Sequence, residues 1–334
     1  MKLIKKIENK VHRLFECDHF WHSKYGKVYY PVYNKDAKFD TFEPEIYSKN
    51  GNKLKLVYCR DFNNAHSPYS ASNYLYFDRF NFGLDTHIYA HKEVFKLNGN
   101  PKYRFASLGE SESIVPEDYK IFITNKELYK DFIYVFTHSY DLLNSVPNAK
   151  YVPFCANPWF GTERGGGILD PKLYEKKTKM VSILSSNLTL CDMHKKRLQC
   201  AKDCKNLNIA DTFGTFDGGK SVKIADTLTD YRYSIAIEND LRPYWYTERL
   251  TSCFASFTVP IYCGASKISD FFNTDGIIII SPEDCLDIEK VLKQCSEKDY
   301  ESRIPAMIDN YNRVQQYYNI SDFMYLKYMK DLGI

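Results

Sequence analysis

The sequence lacks two spacing patterns, one of cysteines and one of glycines, that mark known kinds of binding site. None of its 10 cysteines forms a CxxC pair, and no GxGxxG segment occurs in the 334 residues. Without cysteines at metal spacing, neither a zinc site nor a disulfide framework is indicated, and free thiols in a reducing compartment are expected. Without GxGxxG, a dinucleotide-binding dehydrogenase loses its main support. We interpret the Gly218-Gly219 pair as a turn.

The sequence also has neither a large charge excess nor a long apolar run. Its 45 basic and 42 acidic residues leave a formal net charge of +3, which does not favour bulk nucleic-acid binding. No stretch of about 18 apolar residues is present, so no transmembrane helix is predicted. We therefore expect a cytoplasmic protein without a nucleic-acid partner.

Residues 1–16, MKLIKKIENKVHRLFE, have the apolar spacing of a basic amphipathic helix. They lack the central apolar region of a signal peptide. Two interpretations stay open. The helix docks on the rest of the protein, or it makes a peripheral contact with the inner face of a membrane.

Apolar residues make up 44% of the sequence, which is typical of globular proteins. A chain of 334 residues is longer than a single hydrophobic core usually supports, so two domains are expected. Strand-like runs alternate with helix-patterned segments in both halves, which is typical of parallel α/β domains. We predict an N-terminal α/β domain over 1–155, a linker rich in Pro and Gly over 156–167 and a second α/β domain over 168–305. Residues 306–334 are predicted to form a C-terminal helix that packs back on the N-terminal domain.

The second half shows the clearer order of elements. The strand MVSIL is followed by a helix over 192–207, a strand in NIADTFG, a short helix in VKIADTLTDY and a strand in YRYSIAI. A helix in TERLTSCFASF and strands in TVPIYC and GIIII complete a doubly wound pattern. Ligands of such sheets bind at the carboxyl ends of the strands, so the residues that follow MVSIL and YRYSIAI are the first candidates for a site.

Polar side chains surround the end of the strand YRYSIAI. Glu238 and Asn239 follow the strand, and Thr247, Glu248 and Arg249 open the next helix. An ordinary helix start also has a Thr N-cap and an acidic first turn, and the strand-end pair also suits a structural loop. The functional interpretation is that these side chains bind sugar hydroxyls, while Arg249 and the helix N-terminus face a phosphate.

A basic cluster follows the strand MVSIL. Ser186 and Asn187 lie in the loop, and the run from His194 to Arg197 lies early in the next helix. A solvated basic helix face is the alternative interpretation. Because a diphosphate would lie at this strand end, we predict that Arg197 binds it.

The first half offers a candidate base. Glu110 and Glu112 alternate with serines in SLGESESIVPEDY, directly after the strand-like run RFASL. Solvated loop carboxylates are the alternative. A carboxylate that faces a cleft between the two domains serves as a general base when partial burial raises its pKa.

The segment YSIAIENDLRPYWYTERLTSCFASFTVPIYCG resembles the signature of the α1,3/4-fucosyltransferases. The upstream KKTKMVSILSSN with HKKR, the later ISDFFNTDGIIII and the first-half LGESESIVPEDY are similar to further segments of that family. The resemblance covers roughly residues 105–285. It implies a GT-B fold, in which two Rossmann-like α/β domains face a cleft, and inverting transfer of L-fucose from GDP-fucose to a sugar hydroxyl.

The resemblance also implies roles for single residues. Glu110 matches the proposed general base, with Glu112 as its local rival, and Arg197 matches the arginine that contacts the diphosphate. The predicted catalytic residues are Glu110 and Glu248, and the predicted donor-binding residues are Ser186, Asn187, Arg197, Glu238, Asn239, Tyr246, Thr247 and Arg249. Arg249 stands where the family usually has Lys, which keeps the charge but changes its geometry.

No metal is expected at the chemistry. The DxD segment of many metal-using sugar transferases is absent from the sequence, so arginine, lysine and a helix dipole are predicted to neutralise the leaving diphosphate. The expected partners are a nucleotide sugar and an oligosaccharide or lipid-linked glycan acceptor. The alternatives are the same fold acting on another nucleotide sugar, and a catalytically inactive relative that binds carbohydrate or nucleotide.

Overall fold

The structure is a computed structural model that describes residues 20–23, 26–29, 47–48, 50–60, 72–78, 81–160 and 169–334. The predicted helix over residues 1–16 lies outside these ranges, and so does most of the predicted linker. No helix in the described part of the chain is long and apolar enough to cross a membrane.

The N-terminal half is built on a parallel sheet. An antiparallel hairpin of β1 (Phe20–Ser23) and β2 (Gly26–Tyr29) precedes it. The sheet contains β3 (Lys55–Arg60), β4 (Leu75–Asp78), β5 (Thr86–Ala90), β6 (Tyr103–Leu108), β7 (Tyr134–Thr137) and β8 (Ala149–Tyr151). These strands pair in the order β4-β3-β5-β6-β7-β8, and each neighbouring pair is parallel.

Both faces of this sheet are covered, which explains why most residues of β5 and β6 are buried on both sides of the sheet. Alternate residues such as Phe105 and Phe136 belong to the main core, whereas Ala106 and Val135 belong to a smaller cluster on the other face. The helices of this half are α1 (Pro116–Thr124) and α2 (Tyr140–Ser145). Pro116 suits the first turn of α1, because its missing amide hydrogen would have no partner there.

The C-terminal half contains a second parallel sheet. Its strands are β9 (Lys179–Leu184), β10 (Asp211–Phe213), β11 (Tyr231–Ile237), β12 (Val259–Cys263) and β13 (Ile278–Ile279). They pair in the order β10-β9-β11-β12-β13, all parallel. The chain moves outward from β9 to β10 and then returns to the other side of β9 with β11. The carboxyl ends of β9 and β11 therefore flank the topological switch point, where open α/β sheets bind ligands.

The helices of this half are α3 (Asp192–Leu207), α4 (Ile224–Leu228), α5 (Glu248–Ala255), α6 (Ile288–Leu292), α7 (Glu297–Val314) and α8 (Ile320–Met324). Three of them, α3, α4 and α5, lie where the sequence predicts them. Asn208 ends α3 in the left-handed conformation, with φ of 54°, which asparagine tolerates better than most residues. Two parallel α/β sheets confirm the predicted fold class.

Short helical segments fill the connections. The 3₁₀ segments are His91–Phe95, Leu128–Asp131, Leu173–Lys176, Phe216–Gly218, Ile268–Asp270, Thr274–Gly276, Asp284–Leu286, Gln315–Tyr317 and Lys330–Leu332, and Tyr325–Met329 is a π-helical turn. The Phe216–Gly218 segment contains the predicted turn at Gly218, whose φ is 77°.

The end of the chain packs on the N-terminal sheet. The Tyr328 hydroxyl donates to the Tyr151 carbonyl oxygen at 2.8 Å, and the Tyr103 hydroxyl donates to the Leu332 carbonyl oxygen at 2.8 Å. Tyr325 stacks on Tyr74 with ring centroids 5.0 Å apart. The predicted domain boundary between residues 305 and 306 falls inside α7, because that helix continues through Pro305.

Candidate functional site

The candidate site begins at Glu238, directly after β11. Its side chain is fully buried. Oε1 accepts from the Thr247 amide at 2.9 Å, and Oε2 accepts from the Thr247 hydroxyl at 2.8 Å. A Cβ on Gly264 would lie 2.6 Å from Glu238 Cγ, so only glycine leaves room for this carboxylate. Both carboxylate oxygens therefore hold the start of α5, and the direct contact of Glu238 with sugar hydroxyls stays a prediction.

The N-terminus of α5 is closed by the protein itself. The Glu248 amide donates to the Cys155 carbonyl oxygen of the N-terminal half at 2.7 Å. The Arg249 amide donates to the hydroxyl of the N-cap Thr247 at 3.2 Å. These two amides therefore have acceptors within the protein, and the contact of the helix N-terminus with a phosphate stays a prediction. The guanidinium groups beside it are further candidate anion ligands.

Arg197 is buried on α3 and points to the switch point. It is 3% exposed, and Nη1 donates to the Ile237 carbonyl oxygen at 2.9 Å. Its Nε has no hydrogen-bond partner within the described residues. Burial, and then the positive charge of Arg249, lower the pKa of Arg197 to about 9. A buried guanidinium with an unused donor is a site ready for an anion.

Arg249 and His194 lie beside Arg197 and add a positive charge and a hydrogen-bonding imidazole to the site. Arg249 Nη1 lies 3.4 Å from the Leu184 carbonyl oxygen at the end of β9. His194 is buried, and its Nδ1 lacks a partner within the described residues. Burial, followed by the charges of Arg197 and Arg249, lowers the pKa of His194 to about 4. The imidazole is thus neutral at pH 7 and adds a hydrogen-bonding group to the two guanidiniums.

A cleft lies between β9, β11 and the first turns of α5. Its walls include Leu184, Ala236, Glu248 and Arg249. The half-buried Glu248 is the acidic group of this wall. The predicted residues Glu248 and Arg249 line this cleft, and Arg197 lies near enough for their charges to act on its pKa.

The predicted loop residues Ser186 and Asn187 have mainly local contacts. Asn187 Nδ2 donates to the Thr215 carbonyl oxygen at 2.9 Å, which joins the loops that follow β9 and β10. The Ser186 hydroxyl accepts weakly from the Leu188 amide at 3.4 Å. Asn187 is exposed and Ser186 half-buried, so both form the rim of the site and not its floor.

The loop after β10 contains a segment that matches a phosphate-binding sequence pattern. GTFDGGKS, residues 214–221, fits the letters of the phosphate-binding pattern GxxxxGK[ST]. The structural context of that pattern is missing, because Lys220 and Ser221 do not open a helix and α4 begins only at Ile224. Gly214 has φ of 105° and lies against the Ser185 carbonyl oxygen, so its conformation serves loop packing.

Asn239 and Tyr246 also differ from their predicted roles. The Asn239 side-chain oxygen accepts from Trp245 Nε1 at 2.7 Å. Tyr246 is 1% exposed, and its hydroxyl accepts from the Tyr151 hydroxyl at 2.9 Å. The direct donor contact predicted for Tyr246 is therefore not available in this arrangement, since its ring is part of the packing between the two halves.

Glu110 lies two residues beyond β6, at the carboxyl edge of the N-terminal sheet. Its side chain is half-buried, and Oε1 accepts from the Ser111 amide at 2.8 Å. Glu112 is more deeply buried, and its Oε2 lies 3.1 Å from Arg242 Nε. Burial raises the pKa of Glu112. Glu112 is held by an ion pair and Glu110 is the less buried of the two, and the role of Glu110 as the base stays a prediction.

Sequence reasoning missed the groups that join the two halves here. Asp240 Oδ2 accepts from the Ser113 amide at 2.9 Å and from the Ser111 hydroxyl at 3.1 Å. His138 is fully buried against Trp245, with ring centroids 4.5 Å apart. The position of Asp240 next to the motif residues was visible in the sequence, but its partners are far away along the chain.

Comparison with known proteins identifies the second half. Residues 174–282 match the family model for the C-terminal part of glycosyltransferase family 10 (fucosyltransferase). That segment contains β9 to β13, Arg197 and the cleft lined by Glu248 and Arg249. The match confirms the resemblance that the sequence suggested. Comparison with curated protein sequences gave no match.

Solved structures of sugar transferases are similar to the chain at low identity. An α1,3-fucosyltransferase is 14% identical, with 80% of this chain and 83% of that chain covered and a TM-score of 0.46. An α1,3-fucosyltransferase with GDP-fucose is 12% identical, with 84% and 93% covered and a TM-score of 0.45. A UDP-forming trehalose-phosphate synthase from Burkholderia xenovorans is 10% identical, with 74% and 73% covered and a TM-score of 0.45. At these scores the likenesses assign no function.

Proposed function

Because residues 174–282 match the family model for the C-terminal part of glycosyltransferase family 10 (fucosyltransferase), we propose that the chain is a fucosyltransferase that transfers L-fucose from GDP-fucose to a glycan hydroxyl with inversion. The observation that carries the proposal is the buried Arg197 with its unused Nε, next to Arg249 at the switch point. A diphosphate supplies the anion that these guanidiniums lack.

The reaction has a simple balance of bonds and charges. The acceptor oxygen forms a bond to C1 of fucose while the bond from C1 to the β-phosphate oxygen breaks. Glu110 takes the proton of the acceptor hydroxyl, and Arg197 and Arg249 bind the negative charge of the leaving GDP. Glu248, in the wall of the cleft, binds a hydroxyl of the donor sugar or faces its developing positive charge. The acceptor is a glycan, free or lipid-linked, with α1,3/4-type linkage.

The chemistry runs without an obligatory metal in this proposal. Two guanidinium groups at the site of the leaving group perform the neutralisation that a divalent cation performs in other transferases. The alternatives are another nucleotide sugar as the donor, or an inactive relative that only binds. With another donor, a nucleotide other than GDP should protect the protein best against unfolding. An inactive relative should release no product.

The test measures GDP release from GDP-β-L-fucose in buffer with EDTA, with water as the acceptor. We expect turnover in the presence of EDTA and initial release of the α-anomer of fucose, followed by proton NMR. GDP should raise the melting temperature more than UDP or CDP does. The proposal fails if no GDP is released, if the β-anomer appears first, or if EDTA stops turnover.

Two variants separate the proposed roles. Glu110→Gln should lower turnover by about 10²–10⁴-fold while the Kd for GDP, measured by calorimetry, stays the same. Arg197→Ala should weaken GDP binding, because the diphosphate loses a charge-assisted hydrogen bond. A loss of GDP affinity in Glu110→Gln contradicts the base assignment, and unchanged GDP affinity in Arg197→Ala removes that residue from the diphosphate site.

A further inference from the structure

The loop that carries Glu110 is held from its own half by two contacts. The Gly109 amide donates to His91 Nε2 at 3.3 Å, and the Tyr119 hydroxyl donates to the Glu110 carbonyl oxygen. Since Nε2 accepts, the imidazole proton is on Nδ1, which faces Asp118 Oδ2 at 3.0 Å. These contacts fix the beginning of the loop relative to the N-terminal sheet.

The other end of the loop is held by the C-terminal half. Asp240, which is 5% exposed, accepts from the Ser111 hydroxyl and the Ser113 amide with the same Oδ2 atom. Arg242 lies beside this contact, with Nε 3.8 Å from Asp240 Oδ2 and 3.1 Å from Glu112 Oε2. Charged acceptors of this kind form stronger hydrogen bonds than neutral ones.

Asp240 belongs to the same short segment that organises the anion site. Two residues earlier, Glu238 holds the start of α5 through Thr247, and α5 carries Arg249 in its first turn. The segment from 238 to 242 therefore contacts both the helix that binds the leaving group and the loop that presents the base. Other contacts join the halves, but in the described structure this segment makes the hydrogen bonds from the C-terminal half to Ser111 and Ser113, just beyond Glu110.

We propose that Asp240 is a positioning residue that sets the place of Glu110 relative to the bound donor. It acts through Ser111 and Ser113 and does not touch the substrate. This inference rests on the proposed function, since it takes Glu110 as the base. A reacting group displaced by about 1 Å loses up to about 100-fold in rate, so the contact matters for turnover more than for nucleotide binding.

The experiment is a double-mutant cycle on GDP release from GDP-fucose with water as the acceptor. Asp240→Ala should lower kcat by about 10–100-fold and leave the Kd for GDP within about threefold of the wild type. In a Glu110→Gln background the same substitution should cause no further loss, because the base that it positions is already absent. A residue that only stabilises the fold would slow both backgrounds equally.

Asp322→Ala is the matched control. Asp322 also joins the two parts of the molecule, since it accepts from the Asn73 amide at 2.9 Å and from Asn73 Nδ2 at 2.7 Å, but it does not contact the loop of Glu110. We expect Asp322→Ala to lower the melting temperature and leave kcat unchanged. Should Asp240→Ala fail to fold, Ser111→Ala takes its place in the same cycle, because it removes one hydrogen bond to Asp240. We expect Ser111→Ala to lower kcat by about 3–10-fold.

Each outcome of the cycle has a defined meaning. A loss in the wild-type background alone supports the positioning role. Equal losses in both backgrounds, or no loss in the wild-type background, overturn it and leave the proposed transfer reaction intact. If Glu110→Gln is itself as active as the wild type, the base assignment and the role of Asp240 fail together.

Discussion

At the scale of single residues, Glu238 is a carboxylate without access to water. Burial, and then the charge of Glu248, raise its pKa from 4.5 to about 7. The folded protein therefore retains a proton that the unfolded chain releases between these two pH values. The contribution of Glu238 to the free energy of unfolding accordingly decreases as the pH rises from 4.5 to 7 and stays low above pH 7.

The substitution Glu238→Gln tests this linkage. Glutamine has no proton to release, so the decrease in stability between pH 4.5 and 7 that belongs to Glu238 should be absent. At about 1.4 kcal/mol per pH unit, the difference between wild type and variant should change by ~3 kcal/mol across the window. Urea denaturation at pH 4.5, 6 and 8 measures it. Parallel stability curves for the two proteins would contradict the assignment.

The sequence was informative about which residues matter and less informative about what they touch. Arg197 could be selected because it follows a strand end early in a basic helix, and the structure buries it at that edge. Tyr246 stands in the same motif, yet its partner is Tyr151 of the N-terminal half. That partner depends on how two domains pack, and no local pattern in the motif encodes it.

At the scale of elements, the first turn of α5 depends on the hydroxyl of Thr247. This hydroxyl accepts from the Arg249 amide and donates to the buried Glu238. Thr247→Val keeps the shape but removes both hydrogen bonds, and it should lower the free energy of unfolding by about 1–3 kcal/mol. The Kd for GDP should rise, because Arg249 lies in the same turn.

Thr247→Ser is the control for that experiment. Serine retains the hydroxyl and loses a methyl group, which costs about 1 kcal/mol when buried. Chemical denaturation gives the stabilities, and calorimetry with GDP gives the affinities. If the valine and serine variants are equally stable, the hydroxyl is not what holds this helix start.

The boundaries of elements were predictable where local signals agree. The helix predicted over 192–207 is α3, Asp192–Leu207, with a left-handed Asn208 after it. The end of the chain was harder, because Pro305 lies inside α7. A proline removes one hydrogen bond of a helix, but burial of Tyr300 and Met307 on either side of it lets α7 continue.

At the scale of the whole molecule, the last turns of the chain complete the N-terminal core. Tyr328 lies 5.8 Å from Phe136 and 6.3 Å from Tyr134 between ring centroids. Tyr328→Ala removes these contacts and the hydrogen bond to Tyr151, and it should lower the free energy of unfolding by about 2–4 kcal/mol. Amide exchange should increase in β6 and β7, although the substitution lies more than 190 residues later in the chain.

Tyr318→Ala is the matched control for Tyr328→Ala. Tyr318 is 47% exposed, so its removal should change stability by less than about 0.5 kcal/mol. Hydrogen exchange followed by mass spectrometry locates the affected strands. Increased exchange in β9 and β11, with β6 and β7 unchanged, would mean that the end of the chain supports the C-terminal sheet instead.

The hydrogen bond between Tyr103 and Leu332 has a consequence for biosynthesis. Tyr103 begins a central strand of the N-terminal sheet, and Leu332 follows it 229 residues later in the chain. A ribosome therefore delivers this sheet long before the residues that cover one of its faces. Until those residues have been synthesised, that face stays exposed to chaperones and to neighbouring nascent chains, and the first half of the protein completes its core late.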